Sequence, residues 1–173
     1  MEPFHIGGQI AEGTDNAIFD AVARKIANGY RELTLTINST GGCVGTSIAI
    51  YSMLRSLPIP VTTYVIGTCQ SAAVLIFLAG SKRLITPSST LMTHGPARQT
   101  SQSITLEVAE QIVEALKCDH HAMATIISER LGIDHDGALQ YILSEHWFSA
   151  EEATKAKFAT EISELCHESP ILR

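Results

Sequence analysis

Strand-like and helix-like segments alternate along this chain, and that alternation limits its possible folds more than any other feature. Residues 32–37 carry an apolar side chain at every second position, and residues 61–66 are rich in β-branched side chains. Both patterns are typical of β-strands. Apolar residues recur at helical spacing in other stretches, of which 105–131 is the longest. This alternation predicts an α/β fold with mainly parallel strands, in a single domain covering 1–173.

Turn and cap residues set the bounds of the remaining predicted elements. Further strands are predicted at 4–6, 83–85 and 90–93, and further helices at 44–57, 71–78 and 135–143. One more helix is predicted to have Thr14 as its cap and Gly29 as its stop, and the last to begin with a capping box, Ser149 to Glu152. The helix at 105–131 is longer than a small domain can cover. We therefore expect part of it to project or to pack against another subunit.

Composition and charge exclude several classes of partner. The net charge is −6 and the twelve basic residues are scattered, whereas a nucleic-acid-binding face needs clustered Lys and Arg. The longest apolar run, 72–79, is far shorter than the roughly 20 residues needed to span a bilayer. The first residues, Met1 to Phe4, lack the basic start of a secretory signal. The sequence therefore predicts a cytoplasmic protein with no nucleic-acid or membrane partner.

The four cysteines are predicted to be reduced and mostly buried. Cys43, Cys69, Cys118 and Cys166 form no CxxC pair and have no regular spacing. In a cytoplasmic chain this pattern indicates neither a disulfide framework nor a zinc site. We expect no structural metal.

Ser71 lies between a predicted strand end and a predicted apolar helix. Backbone N–H groups without partners and the positive end of the helix are available there, and they would stabilise an oxyanion formed on a substrate. Serine is also a preferred N-cap in any protein, and this segment alone favours that structural interpretation.

Two further segments have residue types suited to catalysis. Residues 38–42 follow a strand and end in paired glycines, which allow close approach of a backbone but also occur in plain turns. His94 directly follows the strand predicted at 90–93, and imidazole is suited to taking a proton near neutral pH. Six other histidines make one histidine weak evidence. The neighbours His120 and His121 do not share a helix face, so a shared metal is not expected.

Together these segments resemble the ClpP family of serine peptidases. Residues 37–42 resemble its INSPGG pattern, 67–74 its GxAASMGA pattern, 92–96 its MIHQP pattern and 147–153 its FLSAxEA pattern, in the same order. The resemblance covers about residues 4–162. It implies the ClpP/crotonase-type ββα superhelix, with a projecting handle at approximately 97–131.

The resemblance implies a role for each matching residue. Ser71 matches the nucleophile and His94 the base that takes its proton. Gly42 and Ala72 match the two backbone N–H donors of the oxyanion hole. Glu145 stands where the family usually has the aspartate that orients the histidine, and it is interpreted as the third catalytic residue, a solvated surface carboxylate being the alternative.

Several positions depart from the family pattern. Thr40 replaces a proline, Ala72 and Ala73 replace Met-Gly, and Cys69 stands beside the nucleophile as a packing residue. The segment 97–102 lacks the glycines of the family's substrate-binding strand. Only three residues precede Phe4, where the family has an axial loop and a first helix, so dependence on a Clp-type ATPase is not expected.

The function implied is hydrolysis of short peptides or unfolded protein segments inside a homo-oligomeric ring, expected to be heptameric. Stacking of two such rings is left open. No cofactor is expected, because acyl transfer through a serine needs only the base and the oxyanion donors. Three alternatives remain open: a phage-type head maturation protease, which the segment 144–147 also resembles; a catalytically silent ring subunit; and an acyl-CoA enzyme of the crotonase group.

Overall fold

The computed structural model describes residues 4–101 and 103–164, which form a parallel-stranded sheet with helices packed against it. The strands are β1 (Phe4–Ile10), β2 (Leu33–Gly42), β3 (Val61–Gln70), β4 (Lys82–Ile85), β5 (Thr90–Thr93), β6 (His146–Phe148) and β7 (Glu161–Ile162). The helices are α1 (Thr14–Ala27), α2 (Val44–Ser56), α3 (Ala73–Leu78), α4 (Leu106–Leu131), α5 (His135–Leu143) and α6 (Ala150–Lys155). The predicted α/β class is confirmed.

Strand β3 changes its neighbour along its length. Five strands follow the order β1-β2-β3-β4-β7, all paired in parallel. The first part of β3, Thr62–Val65, pairs with β4, whereas its last part, Thr68–Gln70, pairs with β5. Strand β6 then adds to β5 in the antiparallel direction. Beyond Val65 the sheet therefore divides, and β5 and β6 form a short ribbon beside the carboxyl end of β3.

Helix α3 is the centre of the core. Each of its residues, from Ala73 to Leu78, is at least 98% buried, and it packs against β2, β3 and α2. Burying one Leu, Ile or Phe side chain contributes about 1.5–3 kcal/mol. The apolar run that is too short to cross a membrane thus forms the innermost helix, and the structure has no helix among its described residues that is long and apolar enough for a membrane span.

The long helix projects at its N-terminal end, as its length predicts. Thr105 caps α4 by accepting from Val108 N–H, and Gly132 ends it in the left-handed region. The buried residues of α4 in the described structure lie between Met123 and Leu131. Leu106 and Val113 are exposed on the projecting part.

Three strands are clearly longer than their local sequence predicts. Strand β1, predicted at 4–6, continues to Ile10. Residues 38–42 are predicted as a turn, but they continue β2 and pair with β1 as far as the Ile10–Gly42 pair. Strand β3 likewise passes Gly67 and ends at Gln70. Pairing with neighbouring strands supplies hydrogen bonds that outweigh the low strand propensity of glycine.

Helix ends agree with the predictions to differing degrees. The capping box is confirmed, since Ser149 Oγ accepts from Glu152 N–H and the Glu152 side chain accepts from Ser149 N–H. The prediction for Thr14 is wrong: Gly13 is the N-cap of α1, and Thr14 Oγ1 instead accepts from Ala11 N–H. A residue in the left-handed region is needed before the helix here, and Gly13 supplies it with φ 85°.

The cysteines in the described residues are free thiols, as predicted, but only one of the three is buried. Cys69 is buried, Cys43 is half-buried and Cys118 is exposed, while Cys166 lies outside the described residues. Burial raises the pKa of the Cys69 thiol well above its usual range. Cys69 therefore stays protonated and acts as a packing residue.

A buried arginine joins the segment that follows α6 to β4. Arg83 Nε donates to Phe158 O at 2.7 Å and its Nη2 donates to Lys157 O at 3.0 Å. Burial, and then the nearby charge of Arg130, lowers the pKa of Arg83 to about 10, so it remains charged at neutral pH.

Replacing Arg83 with methionine should destabilise the fold. Arg83→Met leaves buried carbonyl groups without donors, and we expect the free energy of unfolding to fall by about 3 kcal/mol in urea titrations. The matched control is Arg24→Met on the exposed face of α1, which should cost less than about 0.5 kcal/mol. Equal losses in the two variants would contradict the anchoring role of Arg83.

Candidate active site

Ser71 lies in a tight turn between β3 and α3 and has a left-handed backbone conformation. Its φ is 54°, one of two positive values at non-glycine residues in the described structure, and its N–H donates to Met92 O at 2.8 Å. Such a conformation costs about 1–3 kcal/mol and is typical of functional sites. A strained strand-to-helix turn is also the way in which α/β-hydrolases expose a nucleophilic serine.

The interpretation of Ser71 as a simple N-cap is excluded. Ala72 holds the N-cap position of α3, and no side chain makes a capping hydrogen bond there. The turn imposes the conformation of Ser71, and the Ser71 hydroxyl makes no hydrogen bond within the described residues.

The glycine pair at the end of β2 packs against this turn. A Cβ atom on Gly41 would lie 2.6 Å from Gln70 O and 2.8 Å from the Cβ of Ser71. Gly41 also has φ +86°, which side-chain-bearing residues rarely adopt. Its N–H donates to Ser39 Oγ at 3.1 Å, so Gly42 is the member of the pair that remains a candidate oxyanion donor.

Ala72 completes the candidate oxyanion hole. It is buried and begins the first turn of α3, where helix N–H groups lack partners within the helix. A Cβ atom on Gly41 would lie 3.0 Å from Ala72 N. The end of β2 and the start of α3 are therefore adjacent at Ser71.

His94 directly follows β5 and shares a cleft with Ser71. The cleft has a volume of about 250 Å³, and its walls include Gly42, Thr40 and Pro96. His94 is half-buried. The division of the sheet beyond Val65 allows this arrangement, because β5 lies beside the last residues of β3.

Contacts with α4 hold the segment that follows His94. A Cβ atom on Gly95 would lie 2.8 Å from His120 Nε2 and 2.8 Å from the backbone oxygen of Ile142, so glycine is needed for this approach. Arg98 Nη2 forms an ion pair with Asp119 Oδ2 at 2.7 Å. His120 itself makes a 2.9 Å hydrogen bond between its Nδ1 and Leu116 O. The side chains of His120 and Asp119 on α4 therefore help to hold the segment that follows His94.

Glu145 directly precedes β6 and is exposed. In the antiparallel ladder Thr93 pairs with His146, so continuing the register by one residue places Glu145 opposite His94. The Oε1 atom of Glu145 accepts a hydrogen bond from Trp147 Nε1 at 2.7 Å. The role of Glu145 as the third catalytic residue stays a prediction.

The three candidate catalytic side chains come to the same end of the sheet without being hydrogen-bonded to each other. Within residues 4–101 and 103–164, no hydrogen bond joins His94 to Ser71 or to Glu145. Catalytic hydrogen bonds are often long until substrate binds. Across the same residues, no cluster of three or more His, Cys, Asp or Glu is placed to hold a metal ion.

Sequence reasoning missed two parts of this site. Strand β6, which brings Glu145 beside β5, is only three residues long and has no strand pattern of its own. The Trp147–Glu145 hydrogen bond was also missed, although a two-residue spacing on a strand places both side chains on one face.

Comparisons with known proteins identify relatives of this chain. A family model described as Clp protease matches residues 4–165. The ATP-dependent Clp protease proteolytic subunit 2 of Chlamydia pneumoniae is 31% identical over 154 residues, covering 86% of this chain and 73% of that protein. Subunit 1 of Leifsonia xyli subsp. xyli is 30% identical over 163 residues, covering 92% and 81%.

A solved structure has the same fold. A ClpP1 mutant from Listeria monocytogenes aligns with a TM-score of 0.85 at 22% identity, covering 99% of this chain and 95% of that one. This agreement confirms the fold implied by the sequence resemblance, with α4 in the place of the handle helix.

Adding one methyl group to Gly41 should disrupt the turn at Ser71. Gly41→Ala places a Cβ against Gln70 O and Ser71, and we expect the rate of Ser71 labelling by a fluorophosphonate to fall at least about tenfold, since a small misplacement of a reacting group costs that much or more. The control is Gly45→Ala in α2, where a Cβ meets nothing within 4 Å. Labelling of Gly41→Ala at the control's rate would show that the close approach is not required.

Proposed function

The chain belongs to the Clp protease family and is a serine-type peptidase, and on this basis we propose that Ser71, His94 and Glu145 form its catalytic triad. The observation that carries this proposal is the conformation of Ser71, a non-glycine residue held at φ 54° in a cleft that His94 and Gly42 also line. A serine with only a structural role has no need of such a turn.

The proposed reaction is acyl transfer to Ser71. His94 takes the hydroxyl proton as Ser71 Oγ attacks the carbonyl carbon of the scissile peptide bond. The oxyanion that forms accepts hydrogen bonds from the N–H groups of Gly42 and Ala72. His94 then gives the proton to the leaving amine, and a water molecule activated by His94 releases the acyl group from Ser71.

Glu145 is proposed to orient the His94 imidazole and to stabilise its charged form. The register of β5 and β6 supports this role, because residue 145 falls opposite residue 94. Glutamate is one methylene longer than aspartate, and a carboxylate that accepts from the imidazole N–H is all that the role requires.

The proposed substrates are short peptides and unfolded segments, cleaved in the cytoplasm inside a homo-oligomeric ring. Packing between copies of the chain is supported by exposed apolar side chains just before α4 and on its projecting part: Ile104, Leu106 and Val113. A handle at 97–131 that joins two heptameric rings is part of this proposal. Short peptides need no unfolding, so we expect their hydrolysis to proceed without an ATPase.

A catalytically silent ring subunit is the second candidate. It is favoured by the observation that, within the described residues, no hydrogen bond joins His94 to Ser71 or to Glu145. A phage-type head maturation protease would use the same triad and differ only in its substrate, a single capsid or scaffold protein.

The first test is covalent labelling of Ser71. We expect intact-mass spectrometry of the assembled oligomer, after fluorophosphonate treatment, to show one adduct per chain that is absent from Ser71→Ala. Cys69→Ala is the control and should keep the adduct, because that buried thiol is not a nucleophile. An assembled oligomer that takes up no adduct would favour the silent subunit.

The second test concerns the proposed acid. Glu145→Gln cannot carry the negative charge that stabilises the imidazolium, and we expect kcat for a fluorogenic peptide to fall by about 100-fold or more. Glu151→Gln, an exposed change on α6, serves as the matched control. A loss below about threefold in Glu145→Gln would remove Glu145 from the triad.

A further inference from the structure

Trp147 makes the one specific contact of the Glu145 carboxylate within the described residues. Its Nε1–H donates to Glu145 Oε1 at 2.7 Å, a short hydrogen bond of the kind formed to charged acceptors. The indole is 54% exposed. A large aromatic side chain left at the surface beside a candidate catalytic carboxylate requires an explanation other than core packing.

Strand β6 fixes the place from which Trp147 acts. The rings of His146 and Phe148 lie on one face of the strand, where both contact the ring of Tyr141. Side chains alternate along a strand, so Glu145 and Trp147 point to the other face. Trp147 is paired across the ladder with Met92, next to His94. The ladder therefore places Trp147 two residues along β6 from the position opposite His94.

The bond to Trp147 restricts an otherwise free side chain. An exposed glutamate has many rotamers, and ordering it for catalysis costs conformational entropy. A carboxylate has two acceptor oxygens, and in the described structure Trp147 uses Oε1 alone. Within the described residues Oε2 has no hydrogen bond, so it is available as a second acceptor.

We propose that Trp147 is a positioning residue, whose indole N–H holds Glu145 so that its second oxygen meets the imidazole of His94. This role rests on the proposed function, because it matters only if Glu145 serves as the acid. It assigns the exposed indole to the alignment of the triad, through Glu145 and without contact to substrate.

A double-mutant cycle tests this role. Trp147→Phe keeps the aromatic ring and removes the donor, and we expect kcat for a fluorogenic peptide to fall about tenfold with KM changed less than twofold. In the Glu145→Ala background the same change should cost less than twofold, because the group through which Trp147 acts is gone.

Phe148→Leu is the control for a purely structural effect. Its ring lies on the opposite face of β6, so its effect on kcat should be the same with and without Glu145. If Trp147→Phe also has the same effect in both backgrounds, the positioning role is wrong.

Fluorescence tests the contact independently of catalysis. Trp147 is the only tryptophan of the chain, so intrinsic emission reports on this indole alone. We expect Glu145→Ala to shift the emission and Glu151→Ala to leave it in place. An unchanged emission in Glu145→Ala would overturn the contact.

The two proposals fail in different ways. A responsive indole in a protein whose Ser71 takes up no fluorophosphonate would reject the triad, and with it the positioning role, while retaining the contact. An active enzyme in which the effect of Trp147→Phe does not depend on Glu145 would reject the positioning role alone.

Discussion

The close approach of the ends of β2 and β3 is the contact on which the whole site depends. Ser39 pairs with Cys69 in the ladder, and two residues later Gly41 lies against Gln70 and Ser71 with no space for a methyl group. This contact presses the glycine pair against the turn that carries Ser71. It places candidate oxyanion donors from a strand and from a helix around one hydroxyl group, and it uses the buried helix α3 as its support.

The two halves of the site are held with different strength. Gly42 ends β2, while Ser71 and Ala72 link β3 to α3, a helix that is buried throughout. His94 and Glu145 flank β5 and β6, and the antiparallel pairing of those strands spans three residue pairs. The segment after His94 is tied to α4 by a partly exposed ion pair, and such pairs contribute only about 0–1 kcal/mol. We infer that the placement of His94 and Glu145 is the less rigid part of the candidate site.

Much of the fold could be predicted because its signals are local. The bounds of β5 and α5 and the capping box at Ser149 agree with the structure residue by residue. The errors arise where strands far apart in the sequence pair with each other. Residues 38–42 have the local pattern of a turn and become part of a strand by pairing with β1. Strand β6 has no strand pattern of its own and forms by pairing with β5. For the same reason Ser71 alone favoured an N-cap interpretation, since a positive φ is imposed by packing and not by the serine itself.

The sequence by itself determined the α/β class, the membership in the family and the order of the candidate catalytic segments, because periodicity, caps and motifs are properties of neighbouring residues. Only the tertiary structure decided that β3 divides its pairing between β4 and β5, which brings His94 into the same cleft as Ser71. It also decided that the carboxylate of Glu145 bonds to an exposed indole. These features depend on strand pairing between segments far apart in the chain, and a local pattern of residues does not encode the neighbour that a strand will have.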